Sequence, residues 1–435
     1  MKTGSILFIN RVYPPVAGAT GQLLAELAQQ LAVVGWQVTV VTSGRTAHVP
    51  ASEIVAGVRI ERVGGLPFTR DSHLRRALGY LSLYPLLLWR ALRMPRTDVV
   101  VTLTDPPLQI VLGPILKWWK GSRLVHWAQD VYPELAEEMG VLRRHSLLAR
   151  ILRGLSNWAL RHSDSIIAVG HCMKDRLVGR GVPPERIEVI PNWGSGPFTE
   201  SEVDNSFRRE HGLNGRFVVM YSGNLGLAHP FDAILDAARL LEDSRPEVLF
   251  LFVGDGPRLP WVRREVQELS LKNVRFLPPQ PKERLAKSLA AADLHLASMR
   301  EELCGLVVPS KISGVLTAGR PCIFLGPTNS EAAQVILRFK AGAVLERGDG
   351  RRLANTIKDW AGNREELATK TQMARNAGTT LTLDAAARSF CSVLNRLSLS
   401  RGQKLEQGPN VAPQSRTLSQ QPISSATPTP AASRV

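Results

Sequence analysis

The residues of this chain that could do chemistry fall into two glycine loops, a lysine behind a proline, and a pair of carboxylates at the end of a strand. Ser222-Gly-Asn-Leu-Gly226 follows the strand-like Phe217–Ser222 and precedes a helical Asp232–Arg239. Gly254-Asp-Gly-Pro257 follows the apolar run Val248–Val253. Glycine at such places lets the backbone approach a ligand closely, and the first loop aims helix N-terminal amides at whatever binds. Each loop alone reads equally well as a tight strand-to-helix turn. Neither is GxGxxG or a Walker loop, which disfavours dinucleotide and P-loop readings. Val308-Pro-Ser-Lys311 adds a cation. Asp130-Val-Tyr-Pro-Glu134 ends another strand, where a carboxylate takes up a hydroxyl proton if its pKa is raised, or simply caps the next helix.

Strands and helices alternate to position these groups. Ile6–Ile9, a Pro/Gly-rich loop Tyr13-Pro-Pro-Val-Ala-Gly-Ala-Thr-Gly21, a helix with Leu23, Leu24, Leu27, Ala28, Leu31 and Val34 on its apolar face, and Gln37–Thr42 form a βαβ unit. In a parallel sheet that loop lies at the carboxyl edge of the strands, where ligands bind. Further strands are expected at 98–103, 123–127, 165–169 and 188–191. A second series runs through 217–222, 248–253, 274–277, 293–297 and 322–325. The reading is an α/β chain of two Rossmann-like domains: 1–192, and 193–384 after a hinge near Pro191–Gly196. A C-terminal helix at 385–399 packs back toward the first domain, and a Ser/Thr/Gln/Pro-rich disordered tail covers 400–435.

The formal net charge is +16 over 435 residues. Such a balance suits nucleic acid, an anionic membrane or phosphorylated substrates. No basic base-reading helix and no aromatic RNA-binding signature is present, so nucleic acid ranks last. The cysteines, Cys172, Cys304, Cys322 and Cys391, are scattered without a CxxC pair, which argues against zinc and fits a reducing compartment. The start runs straight into Ser5–Asn10, too short for a secretory core, and no apolar run reaches the length of a spanning helix. A cytoplasmic protein is expected. Two basic apolar stretches, Arg70–Arg96 and Leu142–Arg161, read either as solvated faces over a core or as surfaces lying on anionic lipid.

The order of the motifs says more than any one of them. Asp130–Glu134, Ile190-Pro-Asn192, Tyr221–Gly226, Phe252–Pro257 and Val308–Lys311 followed by Ala318-Gly-Arg-Pro321 resemble, in sequence order, the retaining glycosyltransferase family 4 of GT-B fold. Within that family the chain is similar to the exopolysaccharide, O-antigen and colanic-acid type sugar transferases. The resemblance covers roughly the first 398 positions. It implies a UDP- or GDP-sugar donor against the second domain and a lipid-linked glycan acceptor against the first, with no metal or other cofactor. Transfer with retention at the inner face of the plasma membrane follows from it.

The resemblance also assigns residues. Gly223 and Asn224 would cradle phosphate with Lys311 nearby, and Gly254 and Gly256 would border the base. Asp130 is the acceptor-side base or orienter, with Glu134 the weaker candidate. Arg11, Tyr13 and Gly18 would line the acceptor loop. Three departures stand out. Asn224 and His229 occupy places where relatives carry an Arg and a Lys, and Gln129 replaces a histidine common in relatives. The paired donor-site glutamates are not both present: Glu302 pairs with Ser310 or, aligned from the other side, the second position is Gly314. Ser310, Lys311 or a relocated Glu331 would then replace the missing carboxylate. A nucleotide-sugar epimerase and a catalytically weak nucleotide-sugar or membrane-binding subunit remain open beside the transferase.

Overall fold

The computed structural model of the protein describes residues 4–16, 18–46, 48–66, 73–194 and 206–406. The hinge residues Ser195 and Gly196, Arg70 of the first basic stretch, and the tail from 407 onward lie outside the described residues.

The first lobe is an eight-stranded sheet in the order β3-β4-β2-β1-β5-β6-β7-β8. Its strands are β1 (Ser5–Ile9), β2 (Gln37–Thr42), β3 (Ser52–Val55), β4 (Val58–Arg62), β5 (Val99–Thr102), β6 (Arg123–Ala128), β7 (Ser165–Ala168) and β8 (Ile187–Val189). All pair in parallel except the β3–β4 hairpin. Sequence periodicity missed that hairpin: β3 is largely exposed, so it carries no continuous apolar signal. The helices are α1 (Ala19–Val33), α2 (His73–Arg93), α3 (Leu112–Lys120), α4 (Glu134–Glu138), α5 (Leu147–His162) and α6 (His171–Val178). Leu24, Leu27, Ala28 and Leu31 of α1 pack on one face of the sheet, while Leu83 and Leu87 of α2 and Leu116 of α3 cover the other. Buried on both faces, the central strands read as unbroken apolar runs.

The second lobe begins with α7 (Ser206–Glu210) and holds a wholly parallel six-stranded sheet, β11-β10-β9-β12-β13-β14. These strands are β9 (Phe217–Ser222), β10 (Val248–Val253), β11 (Val274–Leu277), β12 (Leu294–Ser298), β13 (Cys322–Leu325) and β14 (Gly342–Leu345). Between and after them come α8 (Asp232–Leu241), α9 (Leu259–Glu268), α10 (Lys282–Ala290), α11 (Lys311–Thr317), α12 (Glu331–Phe339), α13 (Gly350–Gly362) and α14 (Arg364–Gly378). Strand β14, half-buried at the sheet edge, was also invisible to periodicity.

The final helix, α15 (Leu383–Glu406), extends beyond the expected end at residue 399, so the boundary placed there falls inside a helix. It returns to the first lobe: Phe390 sits edge-on to Trp127 at 4.8 Å, and Arg396 pairs with Glu188 at 2.5 Å. Trp127 stacks in turn on Trp193 at 6.1 Å. Asn192 joins the lobes, exchanging two amide hydrogen bonds with buried Gln129 (2.7 and 3.1 Å) while its carbonyl accepts from Ser313 Oγ at 2.8 Å. The position where relatives carry a histidine thus holds half of a closed amide pair.

Candidate active site

In both sheets the chain reverses winding direction beside the first strand, between β1 and β5 and between β9 and β12, and the candidate residues gather at those carboxyl edges. A cavity of about 560 Å³ opens between the lobes. Its second-lobe wall comes from Gly223, Asn224, His229 and the segment Val307–Lys311, with Gly314 one turn further along α11. Its first-lobe wall comes from Gln22 and Glu26 of α1 and from Trp193. Ser310 and Gly314 share this wall, as one helical turn between them requires.

The two glycine loops have different jobs. After β9 the chain turns at Gly223 with φ +118°, bare of any side chain beside the cavity. Gly254 and Gly256, expected at the nucleotide base, are not among the residues lining the cavity; they pack beneath the first loop. A Cβ on Gly254 would lie 2.0 Å from the Gly223 carbonyl oxygen, and one on Gly256 would lie 2.5 Å from that of Leu225. Gly223 N–H donates to Val253 and Leu225 N–H to Asp255, both at 2.9 Å, which locks loop on loop. Gly254→Ala, at φ +148°, is therefore expected to cost about 3 kcal/mol and to push the Gly223 turn into the cavity. A urea melt together with a donor titration checks both effects; wild-type values in both would refute the packing role.

Lys311 stands above this turn. Its Nζ donates to the Tyr221 hydroxyl and lies 3.9 Å from that ring's centroid. Burial lowers its pKa from 10.5 to about 7. His229 lines the same wall, with Nδ1 against the Ser298 carbonyl. Burial first and the Lys311 charge second bring its pKa down to about 3, so it is a neutral donor or acceptor and not a cation.

On the first-lobe side, Asp130 follows β6 and its backbone bridges to Val307, a residue of the cavity wall. Val131 N–H donates to Leu306 O at 2.9 Å. Asp130 is not among the residues lining the interlobe cavity; it borders a small inner cavity of about 20 Å³, room for roughly one water, with His126, Tyr132 and Arg180. Burial, then the charge of Asp105, raise its pKa from 3.8 to about 7. His126 is a core histidine, held by Thr102 and kept neutral by burial, its pKa lowered to about 3.

The other expected site residues sit elsewhere. Glu134 is not among the residues lining the interlobe cavity and pairs with Arg180 at 3.4 Å and Arg153 at 3.6 Å. Glu331, offered as a relocated donor-site carboxylate, lies outside the cavity: its Oε2 accepts from the His171 N–H of the opposite lobe. The reason is that α12 and α6 meet N-terminus to N-terminus: Ser330 Oγ caps α12, and the Glu331 carboxylate is left for the first N–H of α6. Arg11 forks onto Asp105 at 2.6 and 2.7 Å. Tyr13 is a core residue, its phenol pushed up to about 12 by burial. Gly18 is squeezed against Val12, where a Cβ would lie 2.7 Å from Cγ1.

Sequence reading also missed a carboxylate that does face the cavity. Glu26 accepts from Trp193 Nε1 and, across the lobes, from Lys282 Nζ, both at 2.7 Å. Gln22 and Glu26, four apart on the polar edge of α1, were the available signal.

Comparison with known proteins covers both lobes. Residues 20–193 match the model "Glycosyltransferase Family 4", and residues 203–378 match "Glycosyl transferases group 1". A probable glycosyltransferase, WbjE of Pseudomonas aeruginosa, is 28% identical over 246 residues, spanning 56% of this chain and 61% of that relative. The putative colanic acid biosynthesis glycosyl transferase WcaI of Escherichia coli is 24% identical over 364 residues, covering 78% of this chain and 87% of WcaI. Anabaena HepE, solved with UDP-glucose, superposes with TM-score 0.64 at 19% identity over 92% of this chain and all of HepE. WaaG, a glycosyltransferase involved in lipopolysaccharide biosynthesis, gives 0.65 at 18% identity over 89% and 99%.

Proposed function

We propose, from the premise that this chain is a GT-B glycosyltransferase of the GT4 type, that it moves a sugar from a UDP- or GDP-sugar to a lipid-linked glycan acceptor in cell-surface polysaccharide synthesis. Transfer proceeds with retention of configuration and without a metal ion. The observation that carries this reading is the interlobe cavity, with Lys311 and the bare Gly223 turn on its second-lobe wall and the Asp130 backbone of the first lobe bridged to Val307 of that same wall. As the glycosidic bond breaks, negative charge grows on the departing nucleoside diphosphate, and a preorganised cation beside it lowers the barrier. Asp130, ionised, accepts the proton of the incoming hydroxyl. UDP-sugars are the first donors to try, because HepE, of like fold, was solved with UDP and UDP-glucose.

A thermal-shift screen against UDP-, GDP-, dTDP- and ADP-sugars, each with magnesium and with EDTA, tests the donor site. A shift confined to one nucleotide class and equal in both conditions is expected, followed by transfer to a polyprenyl-diphosphate-linked glycan. Turnover of donor without acceptor would favour the epimerase, and donor binding without transfer the binding subunit.

The membrane placement rests on one face of the first lobe. Helices α2, α3 and α5 lie side by side there. They expose Leu81, Trp89, Trp118, Trp119, Leu147 and Ile151, with Trp118 80% and Leu147 69% accessible. Arg93 lies 3.8 Å from the Trp89 ring centre. Buried Lys120 donates to the Met94 carbonyl at 2.6 Å just past the end of α2, fixing α3 against it. Apolar tips among cations suit an anionic interface, and no described helix is long and apolar enough to cross one. The α3 tryptophans lie between the two stretches that sequence reading singled out. Trp118→Glu/Trp119→Glu is expected to weaken flotation with anionic vesicles by about 10- to 100-fold without lowering the melting temperature. Undiminished flotation would rule the face out.

A further inference from the structure

Cys172 and Cys304 stand 132 residues apart in the sequence and in different lobes. The structure brings them together across the seam, where Gly305, the residue after Cys304, lies against the Cys172 carbonyl and the two thiols neighbour each other. The backbone N–H groups of Gly305 and Glu331, both of the second lobe, lie near enough to the Cys172 thiol to favour its ionised form. Asn329 Oδ1, 3.4 Å from Cys304 Sγ, is a second acceptor for that thiol's proton. The seam is tight here. A Cβ on Gly305 would lie 2.6 Å from the Cys172 carbonyl oxygen, and one on Gly170 would lie 2.8 Å from the Glu331 carboxylate. Close packing therefore fixes the main chain beside each cysteine, while each cysteine remains half-buried and reachable.

The same two lobes wall the candidate donor cavity, and a molecule the size of a nucleotide sugar enters or leaves it most readily when they part. We propose that Cys172 and Cys304 form a reversible interlobe disulfide that clamps the cleft when the thiol pool is oxidised. With glutathione disulfide as oxidant, the Cys172 thiolate attacks one sulfur, forms a mixed disulfide and releases one glutathione thiolate. Cys304, deprotonated, then attacks the Cys172 sulfur, forms the intramolecular disulfide and expels the second glutathione. The protein dithiol loses two electrons and two protons, and one glutathione disulfide becomes two glutathiones.

The surroundings set the order of attack. The neighbouring Cys304 thiol, with the N–H groups of Glu331 and Gly305, outweighs burial and the Glu331 carboxylate and brings the Cys172 pKa down to about 7, whereas that of Cys304 is pushed up. A thiolate poised near neutral pH is the better nucleophile. Cys322, whose pKa burial raises to about 12, and Cys391, also raised by burial, serve as unreactive controls within the same chain.

The test treats the full-length protein with glutathione disulfide and digests it without reduction. A cross-linked peptide joining Cys172 to Cys304 is expected, with two of the four thiols lost to a thiol reagent. Glycosyl transfer should fall about tenfold or more and return with dithiothreitol. Cys172→Ser and Cys304→Ser should keep the reduced enzyme's rate and ignore the oxidant. Amide exchange at Val131, whose N–H crosses the seam to Leu306, should slow about tenfold in the cross-linked form whether or not transfer is detected. Absence of transfer in reduced protein would thus count against the assigned activity, not the clamp. Oxidation that stops at a glutathione adduct, or a cross-linked protein with unchanged exchange and unchanged turnover, would overturn the proposal.

Discussion

Asp130→Asn is expected to lower kcat/KM by about 10²- to 10⁴-fold while making the protein more stable above neutral pH. Both effects come from one placement. The carboxyl is withdrawn from water beside Asp105, and its pKa rises from 3.8 to about 7. As a base it works only when ionised, so wild-type kcat/KM should climb with pH toward about 7 and fall again above it as Lys311 loses its proton, whereas in Lys311→Met the rise should level off. The stability effect runs the opposite way. The folded pKa exceeds the unfolded one, so the favourable contribution is complete below about 3.8 and is lost as pH rises through about 7. Above that, the native state holds a buried carboxylate that asparagine does not carry. Melting temperatures of the two proteins should converge toward pH 4 and separate in favour of the variant at pH 8. An inactive variant with no such separation would point to a folding defect; an active one would remove Asp130 from the chemistry.

Lys311→Met should cost about 10²- to 10³-fold in kcat/KM for the donor, because it deletes the cation placed against the Gly223 turn while keeping an apolar stem over Tyr221. Burial lowers the lysine's pKa to about 7 in the empty cavity, so a diphosphate must restore the proton as pH rises. Donor Kd is therefore expected to weaken by about tenfold per pH unit above 7 in the wild type, and far less in the variant. For stability the sign is that of a depressed base: the contribution is present above about 10.5 and is lost as pH falls through about 7. Methionine should hence stabilise the protein at pH 6. Calorimetric donor titrations at pH 6, 7 and 8 measure the affinity slope directly. Equal slopes in the two proteins would show that Lys311 does not meet the phosphates.

These two residues stand out in the sequence because each follows a strong local pattern. Asp130 comes just after an apolar strand, and Lys311 follows a proline in a segment whose order among other motifs was recognisable. Gly223 was legible for the same reason. The candidates that do not line the interlobe cavity have partners the sequence could not show. Glu331 resembles an ordinary first-turn acid, yet its carboxylate is taken up by His171 of the opposite lobe. Glu134 has the right neighbours in sequence but is claimed by Arg153 and Arg180. Gly254 and Gly256 look like ligand-facing glycines, but the atoms that forbid a side chain there belong to the first loop.

By itself the sequence determined the two α/β lobes, because buried parallel strands must be continuous apolar runs and each helix must show one apolar face. It also determined which loops fall at strand ends, and so which glycines, acids and lysine were available for a site. The tertiary structure alone decided which of those groups share a cavity. It placed Glu26 opposite Lys311, set Trp118 and Trp119 between two basic helices, and brought Cys172 against Cys304. Local patterning reports what a segment does with its own neighbours; it carries no signal about a partner in the other lobe, whose approach depends on how two completed cores dock.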